Sequence, residues 1–144
     1  MRCLWIVAFI LMATCSFAQT ASDSFPPAAT MKQLMLDLIH PASNGILLVI
    51  FRGGPKDDTE WASVRHNALT LAESGKSLNS ARAGDPDWTM HVKMLVDAGT
   101  AAYKAAEAKN VQALSAVASP LDASCTSCHK QYRPNVFPPQ GGSK

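Results

Sequence analysis

The chain has 144 residues, of which 47% are hydrophobic, and a formal net charge of +2 at pH 7. These values suit one compact domain with an apolar core and are too small for two domains. The mild charge, without a basic run or Lys and Arg interleaved with aromatic residues, argues against nucleic acid as a partner.

The N-terminal segment has the pattern of a secretory signal peptide. Arg2 precedes an apolar run over residues 4–13, and small residues follow as far as Ala18. We therefore predict an exported, periplasmic protein whose signal peptide, residues 1–18, is cleaved after about Ala18. The run is short for a transmembrane helix, so an uncleaved anchor is a weaker alternative. Lipidation at Cys15 is weaker still, because the residues before it fit a lipobox poorly.

The remaining chain, residues 19–144, is predicted to form one helical domain. Apolar residues recur at about 100° per residue in four segments, at about residues 29–51, 57–78, 85–109 and 110–133. No segment alternates with period two for long enough to indicate a strand. Four amphipathic helices with short connections predict an all-α fold, an antiparallel four-helix bundle, which would hold a cofactor between its helices.

The first predicted helix has Thr30 as its N-cap, is expected to kink at Pro41, and ends at Arg52-Gly53-Gly54-Pro55. Its apolar stripe consists of Met31, Leu34, Met35, Leu38, Ala42, Gly45 and Val49. His40 lies about 180° from Met31 on a straight helix and is therefore expected on the opposite face.

The second and third predicted helices carry one Trp each on their stripes, Trp61 and Trp88, which we expect in the core. His66 is expected in solvent, and His91 at the edge of its stripe is expected to be a partly buried, hydrogen-bonded core residue. Their stripes are Trp61, Val64, Ala68, Leu71, Ala72 and Gly75, and then Trp88, Val92, Leu95, Gly99, Ala102 and Ala106. Pro86 follows Asp85 at the first position of the third helix, where proline is favoured.

The fourth predicted helix follows the N-cap Asn110, should bend at Pro120, and ends at Pro134. Its stripe is Val111, Leu114, Ala118, Cys125, His129 and Tyr132. Cys125-Thr126-Ser127-Cys128-His129 is the C-x-x-C-H pattern of c-type haem attachment. The two thiols and the imidazole lie within about 100° of one another on a helix, so the thiols can bond two haem vinyl groups while the imidazole binds the iron.

Thiol redox exchange and zinc binding are weaker candidates for the role of the two cysteines. A thioredoxin-like C-x-x-C needs a preceding strand and a βαβ pattern, which the sequence lacks. A zinc site of Cys125, Cys128 and His129 needs a fourth ligand. Export and the loss of Cys3 and Cys15 with the signal peptide leave these two thiols as the only ones, and attachment of one haem c would use both.

The signal peptide, the four helices and the C-terminal motif, which continues C-x-x-C-H-x-x-Y-R, resemble the class II c-type cytochromes, the cytochrome c prime superfamily. The resemblance covers the whole mature chain. It implies that Arg133 lies near a haem propionate, which suits a guanidinium, and that Tyr132 packs beside the proximal His129. A solvated cation at the helix end is the alternative for Arg133.

The resemblance also implies that the sixth coordination position of the iron faces the first helix, where some family members place a Met ligand. Met35 is favoured over Met31 because it lies further into the helix. The alternative is that Met35 only fills the core, which leaves the iron open.

The predicted function is that of a periplasmic one-electron carrier, not an enzyme, with His129 and Met35 as axial ligands and other redox proteins as partners. The first alternative is a five-coordinate haem protein that binds a small gas such as nitric oxide. The second is a haem-free thiol protein. Since family members are often homodimers through the first two helices, a homodimer is a further expectation, with the apolar residues 46–50 either in that contact or in the core.

Overall fold

The computed structural model describes residues 28–135, so the predicted signal peptide, residues 1–18, lies outside the described residues. Within this range the chain forms helices and no strand. The helices are α1, which runs from Met31 to Phe51 and includes a π-helical turn over Leu34–Ile39, α2 (Asp58–Ser80), α3 (Pro86–Glu107), α4 (Val111–Ser115) and α5 (Ala118–Tyr132).

Side-chain caps start α1, α3 and α4 at the predicted residues. Thr30 and Gln33 form a reciprocal capping box at α1. The carboxylate of Asp85 accepts the backbone N–H of Trp88 at 3.0 Å, and the side chain of Asn110 accepts that of Ala113 at 2.9 Å. Each cap satisfies an N–H group that has no partner inside its own helix.

A π-helical turn replaces the kink that was predicted at Pro41. Pro41 has no N–H to give to the carbonyl of Asp37, four residues earlier, so the α-helical pattern cannot continue there. The turn widens instead, and the N–H of His40 bonds to the carbonyl of Met35, five residues back. Ile39 and Ile46 are buried, each one residue after a predicted stripe position, Leu38 and Gly45, whereas Ala42 is buried as predicted.

The fourth predicted helix is two helices, α4 and α5, separated by a tight turn at Ala116 and Val117. Pro120 explains the position of this break, since it offers no N–H to the carbonyl of Ala116. The interruption predicted at Pro120 therefore occurs a few residues earlier, and the Cys-x-x-Cys-His segment lies on α5.

Consecutive helices pack against each other, α1 on α2, α2 on α3 and α3 on α5, and α1 also contacts α5. This arrangement is compatible with the predicted antiparallel four-helix bundle. Trp61 and Trp88 are buried as predicted, and the stripe predicted for α3 is buried along its whole length. The largest fully buried side chains are Ile46, Leu71, Leu114, Leu121 and Val64.

Of the described helices, α1 alone is long and apolar enough to span a membrane by length and composition. Its most apolar 18 residues have a mean hydropathy of 1.7, and 28% of them are buried. Core helices of soluble proteins and signal sequences meet the same criterion, so it does not by itself assign α1 to a membrane. α1 is distinguished by being apolar while much of its surface is not covered by the rest of the described chain.

Candidate functional site

α5 places Cys125, Cys128 and His129 on the wall of one cavity of about 300 Å³. The opposite wall belongs to α1, α3 and the C-terminal end of α2 and is mostly apolar. Its apolar members are Met35, Leu36, Ile39, Leu47, Leu78, Trp88, Val92 and Leu95. Two thiols and an imidazole therefore face hydrocarbon across a space between the helices, which is where helical bundles hold cofactors.

A second cavity of about 490 Å³ adjoins the first, because Met35, Leu36, Trp88, Cys128, His129 and Arg133 line both. Three cations, Lys32, Arg82 and Arg133, border the second cavity, and no carboxylate among the described residues does. The three come from α1, from the turn after α2 and from the end of α5. This end of the combined cavity is therefore apolar inside and positively charged at its rim.

The two thiols are half-buried and not paired with each other. Burial raises the pKa of the Cys125 thiol, an effect that the hydroxyl of Ser124, 3.9 Å from the sulfur, partly opposes. Burial likewise raises the pKa of the Cys128 thiol. Both groups are therefore neutral thiols at neutral pH, with their sulfur atoms at an apolar wall.

His129 is half-buried, and this burial lowers the pKa of its imidazole, with a smaller contribution from the Arg133 guanidinium. The neutral imidazole is consequently the form present at neutral pH. That form has one unprotonated ring nitrogen and is the one that binds a metal. The local environment of His129 thus suits an axial ligand.

Three side chains of α1 that can bind iron, Met31, Met35 and His40, lie differently about the two cavities. Met35 borders both cavities, whereas Met31 borders the second one alone. His40, which was predicted on the opposite face of α1, lines the first cavity with Met35. The π-helical turn causes this difference, because it shifts the later residues by about one position, or about 100°. His40 is nevertheless exposed, and its Nε2 lies 3.3 Å from the side-chain nitrogen of Asn44.

Of the other two histidines, His66 is exposed and His91 is buried, as predicted. The imidazole of His91 reaches α5 through hydrogen bonds to two side chains. It therefore joins the helix that carries the thiols to the helix that forms the facing wall.

Tyr132 and Arg82 close the end of the second cavity. The Tyr132 hydroxyl donates to Asp85 Oδ2 at 2.9 Å, and the edge of its ring meets Trp88 at a centroid distance of 4.9 Å. Burial and this hydrogen bond raise the pKa of Tyr132 to about 12. The Arg82 guanidinium lies 4.8 Å from the ring of Tyr132 and 5.4 Å from that of Trp88, within the range of cation–π contacts.

Arg82 and Lys32 were not singled out in the sequence. Arg82 lies in the turn between α2 and α3, outside any helical periodicity, and Lys32 is one of several exposed lysines. Neither residue forms a salt bridge with a carboxylate within residues 28–135. The contact of Arg82 with two aromatic residues of the cavity depends on the position of the turn after α2, which the sequence does not give.

The donor set fits a haem better than a metal held by protein ligands alone. Between residues 28 and 135, no group of three or more His, Cys, Asp and Glu side chains is arranged to hold a metal ion. A structural zinc site needs four such ligands, whereas haem iron takes only one or two from the protein. A haem also presents a broad apolar face and two carboxylates, which match the apolar wall and the cationic rim.

No protein-family model, no curated protein and no solved structure matches this chain. The geometry of the site and the chemistry of its residues therefore carry the functional argument.

Proposed function

We propose that this protein is an exported c-type cytochrome that carries single electrons in the periplasm. One haem c would be attached through thioether bonds at Cys125 and Cys128, with His129 as one axial iron ligand and Met35 as the other. The observation that carries the proposal is that two thiols, a neutral imidazole and a thioether from the facing helix line one apolar cavity.

Once bound, a haem supplies an iron centre that gains and loses one electron without the making or breaking of protein bonds. The protein's part is to bind it and to set its environment. The apolar side chains of α1 and α3 exclude water from the cavity. A dry, low-dielectric wall and a methionine ligand both tune the reduction potential.

The cations of the rim lie at one end of the combined cavity, so its two ends differ in charge. Arg133 and Arg82 border its charged end, where a guanidinium can pair with a haem carboxylate. Tyr132 supports this end from behind, since its ring lies beside the Arg82 guanidinium. The position of Arg133 thus supports the role that the family resemblance implies, and Arg82 adds a second cation to it.

The first experiment asks whether haem is attached. The full-length chain is expressed with a c-type haem maturation system, and the purified protein is tested by the pyridine haemochrome assay after denaturation. We expect one covalently bound haem per chain, with loss of attachment in the double variant Cys125→Ser, Cys128→Ser. Absence of covalent haem from the wild-type protein would contradict the proposal and favour the alternative of a haem-free thiol protein.

The second experiment identifies the sixth ligand from the absorption and EPR spectra of the oxidised protein. We expect a low-spin iron in the wild type, loss of that signal in Met35→Ala, and no loss in the matched control Met31→Ala. Loss in His40→Ala instead would assign the position to His40. A high-spin wild-type spectrum would contradict Met35 ligation and support the gas-binding alternative.

A further inference from the structure

His91 on α3 is 6% exposed and reaches α5 with both of its ring nitrogens. Its Nε2 lies 2.8 Å from Gln131 Oε1, and its Nδ1 lies 3.2 Å from Ser127 Oγ. Ser127 stands inside the Cys-x-x-Cys segment, and Gln131 follows His129 by two residues. One buried side chain therefore holds the site helix on either side of its candidate iron ligand.

The hydrogen bonds continue beyond the imidazole, and the donor and acceptor are fixed at the Gln131 end. The side-chain nitrogen of Gln131 donates to Asp87 Oδ2 at 3.0 Å, so its oxygen points at His91 and accepts from Nε2. The Ser127 hydroxyl donates to the carbonyl oxygen of Ala123 at 2.7 Å, so its single proton faces two acceptors, that oxygen and Nδ1 of a neutral His91. This chain of hydrogen bonds therefore starts at the carboxylate of Asp87 on α3 and ends at the backbone carbonyl of Ala123 on α5.

The spacing of the two partners makes this contact a geometric constraint. Ser127 and Gln131 are four residues apart, so they lie one above the other on the same side of α5. Two anchor points one turn apart fix both the rotation of a helix about its axis and its position along that axis. A slip of one residue would rotate α5 by about 100° and carry the two thiols away from the cavity.

We propose that His91 is the positioning residue of this site: its buried imidazole, bonded to Ser127 and Gln131, holds α5 at the rotation and height at which Cys125, Cys128 and His129 line the cavity. The hold on α5 stands on the described contacts alone. Its consequence for an iron centre rests on the function proposed above.

The test measures amide hydrogen exchange in the purified full-length protein, whether or not haem is attached. In His91→Leu, which keeps the site apolar but removes both hydrogen bonds, we expect the amides of residues 125–132 to exchange about tenfold faster. Those of α2 should change much less. The control is Val64→Ala, a buried change on α2 that should affect α2 at least as much as α5.

Ser127→Ala and Gln131→Ala each remove one of the two bonds to His91 and leave the core filled, so they carry the test if His91→Leu does not fold. Each should give part of the effect. In a His91→Leu background Ser127→Ala should add nothing, because the bond from Ser127 to α3 runs through His91, whereas Gln131→Ala also removes the bond to Asp87 and should add a further effect. A uniform change across all helices in these variants, or an effect of Ser127→Ala that simply multiplies with that of His91→Leu, would overturn the proposal.

A second readout applies to the protein with haem attached. The EPR g-values of the oxidised iron should shift in Ser127→Ala and Gln131→Ala and remain at the wild-type values in Val64→Ala. If wild-type protein carries no haem, the proposed function fails while hydrogen exchange still decides the role of His91. If the amides of α5 exchange faster but the g-values stay unchanged, His91 holds the helix and has no effect on the iron.

Discussion

The carboxylate of Asp85 accepts two hydrogen bonds that belong to different parts of the molecule. One oxygen caps α3 at the backbone N–H of Trp88, and the other accepts the Tyr132 hydroxyl at the end of α5. These two bonds, the cap first, hold the pKa of Asp85 below its usual range. The same residue therefore starts one helix and fixes the end of another.

Titration of Tyr132 tests this bond. Its pKa is raised from the ordinary 10 to about 12, so folding favours the protonated phenol. The associated stability is complete below about pH 10 and is lost as pH rises through about 12. In Tyr103→Phe, which leaves Tyr132 as the only tyrosine, ultraviolet titration should give a midpoint near 12.

The matched variant is Asp85→Asn in the same Tyr103→Phe background. Asn is as good an N-cap as Asp, so α3 should stay intact. Its amide, however, carries no charge to oppose the phenolate, and the midpoint should fall toward 10. A Tyr132 midpoint that is already near 10 before the Asp85 change would contradict the bond.

At this scale the sequence was informative where residue spacing alone fixes geometry. Cys125, Cys128 and His129 lie close together on any helix, so their common wall follows from the motif. Arg82 and the two partners of His91 could not be found in this way. Their contacts depend on how the turn after α2 and the face of α3 meet α5, and helical periodicity within one segment does not contain that information.

At the scale of elements, one π-helical turn accounts for the main errors in the prediction of α1. An ideal helical wheel assigned Leu38 to the core and His40 to solvent. The structure leaves Leu38 43% exposed, buries Ile39 to 4% exposure and brings His40 to the cavity. Pro41 was recognised as a disruption, but the sequence does not determine whether the helix kinks at a proline or forms a wider, π-helical turn before it.

The contact between α2 and α3 depends on Gly99. A Cβ at this position would lie 2.9 Å from the backbone nitrogen of Ala72 and 3.1 Å from the carbonyl oxygen of Ala68. Backbone atoms of a packed helix cannot turn aside, so we expect Gly99→Ala to separate the two helices. The free energy of unfolding should fall by about 1–3 kcal/mol, measured by urea denaturation.

Gly45→Ala is the control for this prediction. It is also a helical glycine, but the added Cβ would meet the end of the Asn67 side chain, which can move. The gain of about 1 kcal/mol in helix propensity should then offset the cost of that movement, so that stability stays near the wild-type value. Equal losses in the two variants would show that the close approach of α2 and α3 is not the cause.

For the molecule as a whole, the exposed side of α1 is the feature that the bundle itself does not explain. The apolar residues 46–50, which were expected either in the core or in a dimer contact, divide between two environments. Ile46 is fully buried, whereas Leu48 is 66% exposed. Phe51, one turn further on, is 76% exposed.

Self-association through this side of α1 is the outcome that we expect in solution. In a two-fold dimer each copy contributes the same patch, and each buried Leu or Phe side chain stabilises the contact by about 1.5–3 kcal/mol. The double variant Leu48→Glu, Phe51→Glu should therefore raise the dissociation constant by at least about a hundredfold.

Met90→Glu, an equally polar change at an exposed residue of α3, should leave the dissociation constant unchanged. Sedimentation velocity over a range of concentrations measures both. A monomeric wild type, or equal dissociation by Met90→Glu, would mean that α1 exposes its apolar side chains for a reason other than pairing with a second copy.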